Sequence, residues 1–252
     1  MKEAEQDVRP PKTGLSAGLY GGPESPTHPT RPRVTVSYAQ TLDGRIATKN
    51  GSSRWISSPE SLKFAHELRA ASDAILIGSG TARSDDPSLT VRHVPGEDPL
   101  RVLVDSTLRT SPSSAIFAAG AAANTIVATT ENAPEHRRSR LESLGANVLA
   151  LPATADGRVQ LPLALEKLSE LGVSSIMVEG GACIITALLE ARLVDTLAVC
   201  IAPKILGCGV EAVGELGIND LDDSVNIINV TLRKYGPDVV FSGDLVYRGD
   251  QG

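Results

Sequence analysis

The chain has 252 residues, is 41% hydrophobic and 21% charged, and carries a net charge of −6 with a pI near 5.3. These values describe a globular protein of one large domain or two small ones. A phosphate-backbone binder is usually basic, which sets nucleic acid aside as a partner. No apolar run of about eighteen residues is present, so nothing reads as a membrane span. Three cysteines, Cys183, Cys200 and Cys208, have no metal-like spacing. They argue against a disulfide framework or a zinc site, and for a reducing compartment taken here as cytoplasmic.

In chain order, residues 1–32 come first, with Pro10, Pro11, Pro23, Pro26, Pro29 and Pro32 among Gly14, Gly18, Gly21 and Gly22. Such a segment buries too little apolar surface to offset its entropy and reads as a disordered leader. It lacks the apolar core of a secretory signal, and Glu3, Glu5 and Asp7 count against a transit peptide. Residues 33–250 read as one α/β domain. Val34 to Ala39 is the first strand. Ser58 caps a helix with Pro59 at its first position and Leu62, Ala65 and Leu68 on one face. Ala74 to Ile77, Arg101 to Val104, Thr125 to Thr129 and Asn147 to Leu151 read as further strands. Helices are expected over 134–144 and 162–171. Ser175 to Glu179 is a strand that turns through Gly180-Gly181 into an apolar helix ending at Glu190. Thr196 to Ala202 is another strand. Val225 to Lys234 alternates apolar and polar residues, Gly236-Pro237 breaks the pattern, and Val239 to Tyr247 resumes it in two short pieces. The alternation of strands and helices predicts a mostly parallel central sheet flanked by helices, with a C-terminal antiparallel pair at its edge.

Ligands of open α/β sheets sit beyond the carboxyl ends of the strands. The polar residues there are Gln40-Thr41, Gly78-Ser79-Gly80-Thr81, Asp105-Ser106, Thr129-Thr130 and Glu179-Gly180-Gly181. Glycines at a strand-to-helix turn allow close approach of a ligand and leave N–H groups that attract a phosphate. Taken alone, the same pair also reads as a plain βα turn. None of these ends supplies a Ser-His-Asp set, a Cys-His pair or a carboxylate cluster. The chemistry is therefore expected to be borrowed from a cofactor.

In order, the series runs Val34-Thr-Val-Ser-Tyr-Ala-Gln-Thr-Leu-Asp-Gly-Arg-Ile-Ala47, Ser52-Ser-Arg-Trp-Ile56, Leu68-Arg-Ala70, Ile75-Leu-Ile-Gly78, Gly80-Thr81, Asp85-Asp-Pro-Ser-Leu-Thr-Val-Arg92, Leu103-Val-Asp-Ser106 and Glu179-Gly-Gly181. Over roughly residues 33–209 it resembles the riboflavin-biosynthesis pyrimidine reductase family. The resemblance implies a dihydrofolate-reductase-like fold and NADPH-dependent reduction of a phosphoribosylamino-pyrimidine to its ribitylamino counterpart. The chain lacks the His-Ala-Glu and Pro-Cys signatures of the deaminase joined to bacterial members, and so looks like a stand-alone reductase. Bacterial members acting on the deaminated uracil usually carry lysine where this chain has Ser37. Ser37 resembles the fungal and archaeal enzymes, which reduce the 2,5-diamino-pyrimidinone. A ring amino donor is better met by a hydroxyl than by an ammonium.

The resemblance also implies site residues. Arg69 and Arg92 would bind the substrate around its 5′-phosphate, as guanidinium forks do; Ser53, Leu89 and Glu179 would also contact it. Ala39, Trp55, Thr81 and Asp85 match cofactor positions, although a lone tryptophan also reads as a core aromatic. Ser106 would meet the 2′-phosphate; Arg109 nearby is a further candidate from its position alone, and it reads better as a solvated loop arginine. Gly181, Ala182, Cys183, Ile184, Ile185, Thr186 and Ala187 would hold the pyrophosphate at the helix start. Asp43 reads as a turn residue, and no general acid stands out. The family is commonly dimeric, with Thr196 to Ile201 and the C-terminal strands as candidate interface. Three alternatives stay open: reduction of the deaminated uracil, reduction of a related pyrimidine or pterin, and a non-catalytic nucleotide-binding subunit.

Overall fold

Strands rich in Val, Ile and Leu bury both faces only if helices cover them, and that requirement organises this chain. The computed structural model describes residues 30–118 and 120–249. Its main sheet contains β1 (Arg33–Thr41), β3 (Ala74–Gly78), β4 (Leu100–Val104), β5 (Thr125–Thr130), β6 (Asn147–Leu151), β7 (Ser175–Gly180), β8 (Thr196–Ala202), β10 (Asn226–Tyr235) and β11 (Asp238–Val246). Their order is β10-β11-β8-β1-β7-β3-β4-β5-β6. The stretch from β8 to β6 is parallel throughout, and β11 runs against both of its neighbours. A separate ribbon pairs β2 (Arg45–Thr48) with β9 (Gly209–Glu211).

Among the described residues five α-helices accompany the sheet: α1 (Pro59–Ala71), α2 (Ser79–Asp85), α3 (Glu135–Glu142), α4 (Leu161–Glu170) and α5 (Ala182–Glu190). Leu161, Leu165 and Leu168 of α4 and Ile185 and Leu188 of α5 pack with Val34, Val36, Leu76 and Val178 on one face. On the other face, Phe64 and Leu68 of α1 meet Met177, Ala198, Cys200 and Val240, while Leu141 of α3 joins Ile75, Ile77, Leu103 and Val127. No helix among the described residues is long and apolar enough to cross a membrane.

The expected architecture is present, with several local differences. The expected helices are displaced by one to two residues at their ends, as fraying allows. The final strand is one continuous element because it pairs along β8 and β10 at once. α2 and the β2–β9 ribbon were not expected: Gly80 and the Arg45–Thr48 run carry no local signal, and both elements depend on tertiary contacts. The α1 face differs as well. Ser61, Phe64, Leu68 and Ala71 are buried, and Leu62, Ala65 and Arg69 line a cleft that Ser61 and Phe64 also reach. Strand β8 lies between β1 and β11, so Thr196 to Ile201 have no free edge to offer a second chain. Most of the 1–32 leader lies outside the described residues. Arg31 within it is held by Asp195 through two bonds of 2.8 and 2.7 Å.

Candidate active site

Beyond the carboxyl ends of β1, β7 and β3 opens a cleft of about 600 Å³. Its wall combines Ser37 and Ala39 of β1, Ser53 and Trp55 of the loop before α1, Arg69 of α1, Thr81 and Asp85 of α2, Glu179 of β7, and Gly181 through Ile185 at the start of α5. The cleft thus brings together twelve of the site residues expected from sequence: Ser53, Arg69, Glu179, Ala39, Trp55, Thr81, Asp85, Gly181, Ala182, Cys183, Ile184 and Ile185.

Helix α1 sets Arg69. Its N-cap Ser58 accepts from the Ser61 N–H, and Pro59 occupies the first turn. The start is then bolted to β11: the Ser58 N–H and Ser61 hydroxyl donate to the buried Asp238 carboxylate at 2.6 and 2.5 Å. Burial works against the Asp238 charge, but these donors outweigh it and hold the carboxyl below its ordinary value. Three turns on, Arg69 forms a two-pronged pair with Glu179, one prong being Nη2 to Oε2 at 2.7 Å. Its Nη1 donates to the Thr90 carbonyl at 2.9 Å. Burial disfavours the guanidinium charge, and Glu179 more than restores it, so the pKa is raised. The two side chains are only 12% and 17% exposed, which makes this pair an anchor rather than a surface ornament.

The glycine turn shapes the other wall. Gly180 has φ +100°, and a Cβ at Gly181 would stand 3.1 Å from the Thr81 hydroxyl. The Gly180–Gly181 peptide is cis. Thr81 Oγ1 accepts from the Gly181 N–H at 2.7 Å, tying α2 to the turn. No side chain caps α5, so the N–H groups of Ala182 and Cys183 face the cleft without an acceptor among the described residues. That is a ready anion site. Tyr38 and Cys200 also line the cleft, and burial pushes the phenol to about 12 and the thiol to about 11. Both therefore stay protonated at neutral pH.

Five expected residues do not lie on this wall. Leu89 is 1% exposed and belongs to the core under α3. Arg92 is exposed on the next loop, where Nη1 donates to the Ser88 and Thr90 hydroxyls at 2.9 and 2.5 Å. The Ser106 hydroxyl accepts from the Val159 N–H at 3.2 Å and holds a neighbouring hairpin. Thr186 has turned from the helix start to donate to Ala182 O and to accept from the Gly214 N–H. Ala187 packs against the core. The helical period carries the last two off the cleft face after one turn. Trp55 is 71% exposed, which removes the core-aromatic reading.

The structure adds residues that sequence reasoning passed over. Met177, Phe64 and Cys200 floor the cleft; strand alternation and the Ala39–Cys200 register put them there. Lys204 donates to the carbonyls of Trp55 and, at 2.8 Å, Ile56, bracing the Trp55 loop. Asp43, which the sequence marks as a turn residue, accepts from Thr41 Oγ1 at 2.6 Å and from the Leu206 and Gly207 N–H groups, and these bonds bring its carboxyl down to about 2. His66, 3% exposed, accepts from the Arg92 N–H through Nδ1 at 3.0 Å and so positions that loop. Burial first, then Arg69, His93 and Arg92, lowers its pKa to about 4.

At its open rim, then, the protein presents donors for an anion and a paired carboxylate, but no activated nucleophile. This defines an open α/β protein whose polar cleft lies at the carboxyl ends of its strands, where ligands of such sheets bind. Residues 32–241 match the family model of the RibD C-terminal domain, and the chain belongs to that family. It is 41% identical over 203 residues to a Methanothermobacter thermautotrophicus protein named 2,5-diamino-6-ribosylamino-4(3H)-pyrimidinone 5′-phosphate reductase, covering 78% of this chain and 90% of that one. It is 38% identical over 211 residues to riboflavin biosynthesis protein RibD of Aquifex aeolicus, covering 83% of this chain but only 57% of that longer protein. Among solved structures, the Saccharomyces cerevisiae riboflavin biosynthesis reductase Rib7 superposes with a TM-score of 0.67 at 27% identity, covering 88% of this chain and 93% of that one.

Proposed function

We propose that this protein uses NADPH to reduce the ribosyl group of 2,5-diamino-6-(5-phosphoribosylamino)pyrimidin-4(3H)-one to the ribitylamino product, a step of riboflavin biosynthesis. The observation that carries this reading is one cleft that joins an uncapped helix start to the Arg69–Glu179 pair. The reductase names borne by relatives of matching length support it. Ser37 on the cleft wall offers a hydroxyl to a ring amino group.

NADPH would fit here, with its pyrophosphate on the Ala182 and Cys183 N–H groups and its nicotinamide against Ala39 and Trp55; when bound, it supplies the hydride delivered to C1′ of the ring-opened sugar imine. Gly181 lets the phosphates approach the backbone, and Thr81 and Asp85 complete that wall. Glu179, immobilised by Arg69, keeps lone pairs for sugar hydroxyls or ring donors. Ser53 meets the substrate from the opposite loop. Arg92, on the loop that Arg69 holds through the Thr90 carbonyl, would meet its 5′-phosphate with the N–H groups not used on Ser88 and Thr90. Neither Tyr38 nor Cys200 ionises at neutral pH, so neither acts as a base. The rate comes mainly from positioning, which can supply several kcal/mol, and the proton comes from water or a substrate hydroxyl.

Nicotinamide absorbance, followed with NADPH and each pyrimidine phosphate in turn, tests this. Faster consumption with the diamino compound is expected. Faster turnover of the deaminated uracil would reassign the substrate, and no turnover of either would leave a nucleotide-binding subunit. The same reading includes a homodimer. Among the described residues β10 is a sheet edge without a further strand, on which Ile228, Val230 and Leu232 are 47%, 47% and 67% exposed, and such edges pair with another chain. A monomer mass in sedimentation equilibrium would end that part.

A further inference from the structure

Residues 86–99 join α2 to β4 without a helix or strand of their own. Connections this long are usually either mobile or functional. The first half of this one is fastened nearly residue by residue. Asp86 accepts from the Ala115 N–H at 2.8 Å. Leu89 is sunk in the core. The Thr90 carbonyl takes Arg69, the Val91 N–H donates to Asp98 at 2.7 Å, and the Arg92 N–H donates to His66. Asp86 and Leu89 have φ of 42° and 54°, left-handed values that non-glycine residues keep only where their surroundings impose them.

The remaining fastener is Arg101, the second residue of β4. It is 5% exposed and lies between Ile75 of β3 and Thr125 of β5. Its Nε donates to the Ser88 carbonyl at 3.0 Å, and its Nη2 to Asp98 Oδ2 at 3.3 Å. An apolar residue at this strand position would carry no desolvation cost, and a buried ion pair adds little to stability. The two arms of the guanidinium explain its presence instead: one holds Ser88, and the other orients the carboxylate that holds Val91. Ser88 in turn supports Arg92, whose Nη1 donates to the Ser88 and Thr90 hydroxyls. Arg92 has no acidic partner among the described residues. Arg69 carries the same frame into the cleft, because its other nitrogens grip Glu179.

We propose that Arg101 is a positioning residue for the substrate's phosphate: it fixes the Ser88–Arg92 segment so that the Arg92 guanidinium is held ready for that anion. The inference rests on the reading that Arg92 meets the 5′-phosphate, and it adds the buried support that reading needs. Arg101 is not on the cleft wall, so it touches neither substrate nor cofactor. A fork already held in place loses less side-chain freedom on binding a phosphate than a free arm does. Arg101 therefore acts on the affinity for the pyrimidine phosphate and not on hydride transfer.

Steady-state kinetics of the full chain test this, with NADPH and whichever pyrimidine phosphate the parent reduces faster, in Arg101→Met, Arg92→Ala and the double variant. Arg101→Met should raise the KM for the pyrimidine about tenfold, with kcat and the Kd for NADPH near those of the parent. Arg92→Ala should raise that KM at least as much. Adding Arg101→Met to it should then change KM by less than about twofold, because the strut has nothing left to present. Arg101→Lys should recover part of the loss, since one ammonium can hold the Ser88 carbonyl but does not reproduce the fork. If the melting curve shows that Arg101→Met does not fold, Asp98→Ala, at a half-exposed carboxylate, carries the same test through a smaller rise in KM that the Arg92→Ala background removes. A fall in kcat at unchanged KM, or effects of Arg101→Met and Arg92→Ala that multiply, overturns the proposal and leaves the reductase reading standing. A parent chain that reduces neither pyrimidine phosphate ends that reading, and the proposal falls with it.

Discussion

The two ends of the parallel sheet solve opposite problems. At the amino end, carboxylates are saturated by the chain itself. Asp195 takes both prongs of Arg31 and the Val34 N–H, and Asp73 accepts the N–H and hydroxyl groups of both Ser174 and Ser175 at 2.8 to 3.0 Å. At the carboxyl end, the Ala182 and Cys183 N–H groups and the edge of Glu179 are left open. Polar groups buried against one another stabilise the fold; polar groups held rigid and open await a ligand. The same residue types therefore do different work at the two ends.

That division can be broken by exchange of effects. Glu179→Gln should lower kcat/KM by about a hundredfold, because it leaves the Arg69 fork half satisfied in a partly buried site. Asp73→Ala should instead cost about 2–3 kcal/mol in urea unfolding, through four orphaned donors, with steady-state kinetics near those of the parent. Comparable losses of turnover in both variants would abolish the distinction between the ends. A smaller effect belongs to Gly181→Ala. Its methyl presses on Thr81 Oγ1, and the KM for NADPH should rise by about tenfold while the melting temperature hardly moves.

The smallest effect sharpens the comparison through pH. Folded His66 titrates at about 4, and the unfolded imidazole near 6.5. The unfolded chain therefore binds the extra proton between those values, and stability declines as pH falls from about 6.5 toward 4. Below that window Asp43 and Asp238, whose carboxyls are depressed, add their own loss. His66→Leu should flatten the upper limb in urea titrations, at a cost of about 1–2 kcal/mol at neutral pH for the stranded Arg92 N–H. An unaltered limb would move the titration to another group.

Much of this fold is legible from periodicity. Continuous apolar runs gave the parallel strands, Ser58-Pro59 gave the start of α1, and the alternation after residue 225 gave the antiparallel edge, because each depends on neighbours in sequence. The glycine turn and its anion-binding character could be read in the same way. The α1 face was not legible to one residue: Leu62, Ala65 and Leu68 satisfy the helical period as well as Leu62, Ala65 and Arg69, and only the position of Glu179 on β7 decides between them. Leu89 and Ser106 sit in ordered motifs yet point into the core and toward a hairpin, since a motif specifies residues and not the direction their side chains take. Sequence by itself determined which segments are strands and helices and which turns must carry glycine, because those are local demands of backbone and burial. The meeting of Arg69 with Glu179 and the bracing of Arg92 by His66 were decided by tertiary structure, because strand order alone brings together residues that lie tens of positions apart.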